Sequence, residues 1–182
     1  MSCEYEEYWA KTFKLSDFGI SNTEQFILRS GQVAISNSYE GARILFNVYS
    51  VDENFPNSEP KRLSYGNSIL APEIGDSPQI VTIDFVNPVV IPSNVERVLI
   101  EVTQLDDIYN PNYKKVLIAG TTQDNDISWF KGCREHYSYI STEDLSNPLP
   151  NANFFINITG EKLSTINSST NINLSHNIGD VF

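Results

Sequence analysis

Cysteine, histidine and basic side chains are scarce in this sequence. Two cysteines (Cys3 and Cys133), two histidines (His136 and His176) and one methionine occur in 182 residues. Twelve Lys and Arg stand against 23 Asp and Glu, a formal net charge of −11. Nucleic acids are held through clusters of Lys and Arg on their phosphates. No such cluster is present, so nucleic acid is not an expected partner. An anionic membrane surface would repel the chain for the same reason. No apolar run approaches the roughly 18 residues that span a bilayer, so membrane insertion is not expected. The N-terminal MSCEYEEYW lacks a basic n-region and an apolar h-region, so it does not read as a signal peptide. That fits a cytosolic protein, or a secreted one whose signal has been removed.

Helical periodicity is also missing, while alternation with period two is common. In ARILFNVYSV (42–51), Ile44, Phe46 and Val48 share one face, and Leu45, Asn47 and Tyr49 the other. IVTIDFV (80–86) turns Val81, Ile83 and Phe85 inward and Thr82 and Asp84 outward. RVLIEVT (97–103) turns Val98, Ile100 and Val102 inward, and NFFINIT (153–159) Phe154, Ile156 and Ile158. Weaker strands are expected near 25–36, 62–70, 115–120 and 136–141. β-Branched and aromatic residues suit a pleated, half-buried surface. Short strands punctuated by Gly, Pro and Asn predict an all-β fold, an antiparallel sandwich of jelly-roll or Greek-key type. Pro88 and Pro92 cannot donate to a ladder, so VNPVVIPSNVE (86–96) is an edge or a crossover. Apolar residues at 40% and aromatics at 12% suit a globular core. One domain over residues 1–161 is expected, with a Ser/Asn-rich linker or tail over 162–182 that could end in a short edge strand.

Cys133 sits in WFKGCREHYSYIS (129–141) with His136 three residues on. A nucleophilic cysteine needs a base. On a strand, an i+3 spacing points the two side chains to opposite faces. Cys3, Cys133, His136 and His176 would total a Cys₂His₂ zinc set, yet structural zinc sites use two tight pairs and only one is close here. The remaining reading is a Cys3–Cys133 disulfide in an oxidising compartment. It would close a long loop and pin the N-terminal strand.

The same segment supplies Trp129, Lys131, Arg134, Tyr137 and Tyr139 as a candidate ligand surface. Aromatic faces stack on the C–H faces of sugars, and cationic donors hold the hydroxyls. Against this, aromatics in β proteins more often pack cross-strand. Trp9 weighs the same way, against a buried N-terminal strand residue. TQDNDISW (122–129) places Asp124 and Asp126 two apart, where a turn could give oxygens to a structural Ca²⁺. VDEN (51–54) and LDD (105–107) are similar. Such acidic turns are usually solvated turns. No catalytic residue is assigned: acidic pairs are many, but no acid/base signature of a glycosidase stands out. Asn157, Asn167 and Asn173 head Asn-x-Ser/Thr triplets, which recur by chance.

Read in order, YWAKTFKLSDFGI (8–20), ILFNVYSVDENFP (44–56), VTIDFVNPVVIPSNVERVLIEV (81–102), FKGCREHYSYI (130–140) and NFFINITGE (153–161) resemble an accessory β-sandwich domain. Such domains occur in secreted multi-domain proteins of Bacteroidetes-type bacteria, often beside hydrolase or adhesion modules and upstream of a type IX secretion sorting domain. The resemblance covers residues 3–161. The chain departs from the usual pattern at WFKGCREHY, which is bulkier and more charged. The resemblance implies export, a secreted or cell-surface location, neighbouring domains in a longer chain, and a non-catalytic role. The expected partner is a polysaccharide or cell-surface glycan. The alternatives are a spacer or adhesion module without its own ligand, and a small polysaccharide hydrolase.

Overall fold

The computed structural model describes residues 7–38, 42–75, 77–105, 116–121, 127–132, 138–144, 153–163 and 169–174. In chain order the strands are β1 (Glu7–Lys14), β2 (Gln25–Ser38), β3 (Arg43–Val51), β4 (Lys61–Leu70), β5 (Gln79–Ile91), β6 (Arg97–Leu105) and β7 (Val116–Ile118). They continue with β8 (Gly120–Thr121), β9 (Ser128–Gly132), β10 (Ile140–Ser141), β11 (Asn153–Phe154), β12 (Ile156–Leu163) and β13 (Ser169–Leu174). One sheet has the order β10-β9-β1-β6-β3-β4; the facing sheet has the order β13-β12-β2-β5, with β7 also paired to β2. Neighbours in both sheets run antiparallel. The chain crosses repeatedly between sheets, and β6 inserts between β1 and β3. The result is an antiparallel β-sandwich of the expected type.

Alternation explains the core. Ile44, Phe46 and Val48 of β3, Val98, Ile100 and Val102 of β6, and Val81, Ile83 and Phe85 of β5 meet between the sheets. Each such side chain contributes about 1.5–3 kcal/mol on burial. Phe46 and Phe85 meet edge to face across the layers, 6.4 Å between centroids. Gly31 of β2 makes this possible: a Cβ there would lie 2.5 Å from Cε1 of Phe46.

Proline punctuation acts as expected. β5 lies at the edge of its sheet, and its pairing with β2 jumps from Ser30↔Asp84 to Leu28↔Val89. Pro88 falls in that irregularity, where no ladder donor is required. The segment between β5 and β6, with Pro92, carries the chain to the opposite sheet.

One expectation is revised. A single strand over 153–159 is instead two, because the chain changes partner at Phe155. β11 pairs with β8, and β12 with β2. The Phe155 N–H donates to the Ala119 carbonyl, and its own carbonyl accepts from Ala34. Phe154, Ile156 and Ile158 still pack with the main core, while Phe155 joins Ala34 and Ala119 in a small cluster on the far side of the sheet. The Ser/Asn-rich segment carries the short edge strand that it could end in. β12 runs to Leu163, and β13 pairs with it from Ile158↔Leu174 to Leu163↔Ser169. Leu174 is buried and Ile172 partly so, and those two apolar positions draw this part of the Ser/Asn-rich segment into the sandwich.

Candidate functional site

The outer face of the six-stranded sheet is half-apolar and built around one charge. Alternation sends Trp9 and Phe13 of β1 to the main core and Ala10 outward, where it packs with Leu99, Tyr49 and Trp129. On the same face, Glu101 of β6 pairs in register with Asn47 of β3 and Ala10 of β1. Glu101 is only 1% exposed. A carboxylate buried this deeply must be hydrogen-bonded and paired. Its Oε1 accepts from Asn47 Nδ2 at 3.0 Å and from the Tyr49 hydroxyl at 3.1 Å. Its Oε2 accepts from Lys131 Nζ at 2.7 Å and from the Tyr139 hydroxyl. Lys131 reaches it across β1, over the short side chain of Ala10.

The ammonium of Lys131 also lies over two rings, 4.1 Å from the Tyr8 centroid and 4.6 Å from that of Tyr139. Arg62 Nη2 donates to the Tyr49 hydroxyl at 2.9 Å and stacks over its ring. Burial, followed by the charge of Glu101, pushes the Tyr139 hydroxyl far above the ordinary tyrosine range. Burial is also the main cause that raises Tyr49. Both phenols are therefore fixed as neutral donors to the carboxylate. A carboxylate offers about four acceptor positions, and all four are taken here. Glu101 has none left for a substrate proton, so the cluster is suited to holding strands together rather than to general-base chemistry.

Of the residues expected to form a ligand surface, three fall in this cluster: Trp129, Lys131 and Tyr139. Trp129 is 9% exposed. Phe55 packs edge-on to it at 4.9 Å between centroids, and the indole N–H donates to Thr12 Oγ1. Such a ring offers no open face to a sugar. Lys131 and Tyr139 spend their polar atoms on Glu101. Trp9 is buried in the main core. Arg134 and Tyr137, Asp124 and Asp126, Cys3 and Cys133, and both histidines lie outside the described residues. Among the described residues, no three His, Cys, Asp or Glu side chains are grouped to hold a metal ion. Asn157, head of one sequon, is 3% exposed.

Open concave surface lies instead at one end of the sandwich. A groove of about 510 Å³ is lined by Ser50 and Val51, by Asp52, Glu53 and Glu59 of the β3–β4 connection, by Lys61, and by Asn94 to Arg97 of the β5–β6 crossover. A neighbouring hollow of about 370 Å³ shares Val95 and Glu96 and adds Lys14, Ser16, Ser21 and Asn22. The register sets the floor: Val51 faces Arg97, and Ser50 faces Lys61. Asp52 is the organiser of its loop. Its Oδ1 accepts from the Ser58 hydroxyl at 2.6 Å and the Asn54 N–H at 2.9 Å, which hold its carboxyl below the usual range. The acidic turn VDEN thus spends its first carboxylate on the loop itself. Sequence reading missed both this groove and Glu101. Glu101 had one visible signal, a lone acid inside the apolar run RVLIEVT; of the groove only the acidic turn VDEN (51–54) was visible, because its walls come from separate stretches.

Comparison with known proteins finds no family model, no curated protein and no solved structure that matches this chain. The fold and the groove define the class: an all-β sandwich with a polar cleft at its loop end.

Proposed function

We propose that this chain is a non-catalytic binding module of a secreted bacterial protein, and that it takes a polysaccharide or cell-surface glycan at the loop-end groove. The observation that carries the reading is the groove's lining. Carboxylates (Glu53, Glu59, Glu96), cations (Lys61, Arg97), an amide (Asn94) and a hydroxyl (Ser50) converge on one cleft. Ligand sites fix orientation through a few well-placed polar groups, and these are the groups that exchange hydrogen bonds with sugar hydroxyls. A second reading is a spacer or adhesion module without its own ligand. It is favoured by the burial of Trp129, which removes the stacking platform that glycan modules commonly offer.

Native electrophoresis through gels containing xylan, laminarin, mannan or carboxymethylcellulose separates these readings. Retardation of the protein, lost in a Glu59→Ala/Arg97→Ala variant, is the expected result. Unretarded migration in every gel leaves the spacer, and released sugar would indicate a hydrolase. A Cys3–Cys133 disulfide and a Ca²⁺ ion at Asp124 and Asp126 belong to the same extracellular reading. No titratable thiol in denaturant without reductant, and a lower Tm on adding EDTA, are the expected outcomes.

A further inference from the structure

The connection between β3 and β4 has two sides, and each belongs to a different site. Asp52, Glu53 and Glu59 line the groove. Phe55, between them in sequence, turns the other way. Its ring packs on Trp129 at 4.9 Å and on Tyr139 at 5.1 Å between centroids, as part of the cluster beside Glu101. The loop is also braced from within: the Phe55 N–H donates to the Asp52 carbonyl, and the Asn57 N–H to that of Asn54. Tyr139 is in turn fixed by its hydrogen bond to Glu101. A chain of contacts therefore runs from a buried carboxylate, through two aromatic rings, to a groove wall.

We propose that Phe55 is a positioning residue: seated against Trp129 and Tyr139, it fixes the acidic wall of the loop-end groove in its open, binding-ready shape. The role of Trp129 is then to back the site from behind. The ligand part of this inference rests on the function proposed above; the anchoring part does not. Loops are the low-stability parts of a fold unless side chains anchor them, and edge-on aromatic contacts add to the burial of the rings themselves.

Amide hydrogen exchange on Phe55→Ala, Phe55→Tyr and the unmutated protein tests the anchor. Phe55→Ala should speed exchange across 52–60 about tenfold, with amides 98–102 of β6 unchanged; Phe55→Tyr, which keeps the ring, should restore protection. Unchanged exchange at 52–60, or an equal rise at 52–60 and in β6, would overturn the proposal. In any polysaccharide gel that retards the unmutated protein, Phe55→Ala should be retarded at least about fivefold less, and equal retardation would overturn the positioning role. If no gel retards the unmutated protein, the glycan reading fails, and the exchange result alone decides the anchor.

Discussion

Replacing Glu101 with alanine tests whether the outer-face network holds the sandwich together or merely decorates it. The substitution removes one carboxylate and strands four donors: Asn47 Nδ2, the Tyr49 and Tyr139 hydroxyls, and Lys131 Nζ. Deleting one member of a buried, hydrogen-bonded ion pair costs about 3–5 kcal/mol, because the other charge stays behind uncompensated. Lys131 retains a path to water, with its side chain 18% exposed against 1% for Glu101. The expected loss is therefore near the lower end, about 3 kcal/mol. For a chain of this size that is a fall in Tm of roughly 6–12 °C. Urea unfolding, followed by far-ultraviolet circular dichroism and by tryptophan fluorescence, measures it directly. An exposed ion pair contributes only about 0–1 kcal/mol, so a loss under about 1 kcal/mol would refute the reasoning. A Glu101→Met/Lys131→Met double variant sharpens the test. With the stranded ammonium gone, it should be more stable than Glu101→Met alone. Simple additivity of the two single losses would show that the pair is not coupled.

Three further outcomes are expected. Tyr139 and Tyr49 both titrate above their ordinary value in the fold, so they are neutral there at a pH where the unfolded chain ionises, about pH 10. Their contribution is intact below about pH 10 and is lost as pH rises beyond it; a Tyr139→Phe variant should show a shallower alkaline decline, and an equally steep one would contradict the assignment. At Gly160, beside the irregularity where β12 passes β2, a Cβ would collide with the Ile27 carbonyl and the Phe26 ring. Gly160→Ala should cost about 1–3 kcal/mol or more by chemical denaturation, and a neutral result would mean that the strands separate more easily than described. Among the described residues the buried Asn157 Nδ2 has no acceptor, so Asn157→Val should be neutral or stabilising by up to about 1 kcal/mol; a large loss would reveal a partner for that amide.

The sequence by itself determined the layers. Alternation with period two is a local property of a strand, and it picked out the faces of β3, β5 and β6 that meet in the core. Proline's missing N–H likewise marked residues 86–96 as an edge or a crossover, and they hold the end of the edge strand β5 and the connection to β6. Only the tertiary structure decided what happens on the opposite faces. Period two says that Leu99, Glu101, Asn47 and Tyr49 point away from the core; it does not say whether water or protein meets them. The answer depends on where other stretches of the chain come to rest, and here Phe55 and Tyr139, the latter 38 residues from Glu101, cover that face. The same long-range packing buried Trp129, split the strand at Phe155, and gathered the groove's lining from two separate connections. Burial and charge pairing depend on chain segments brought together across the whole fold, whereas pleating is set by each residue and its immediate neighbours.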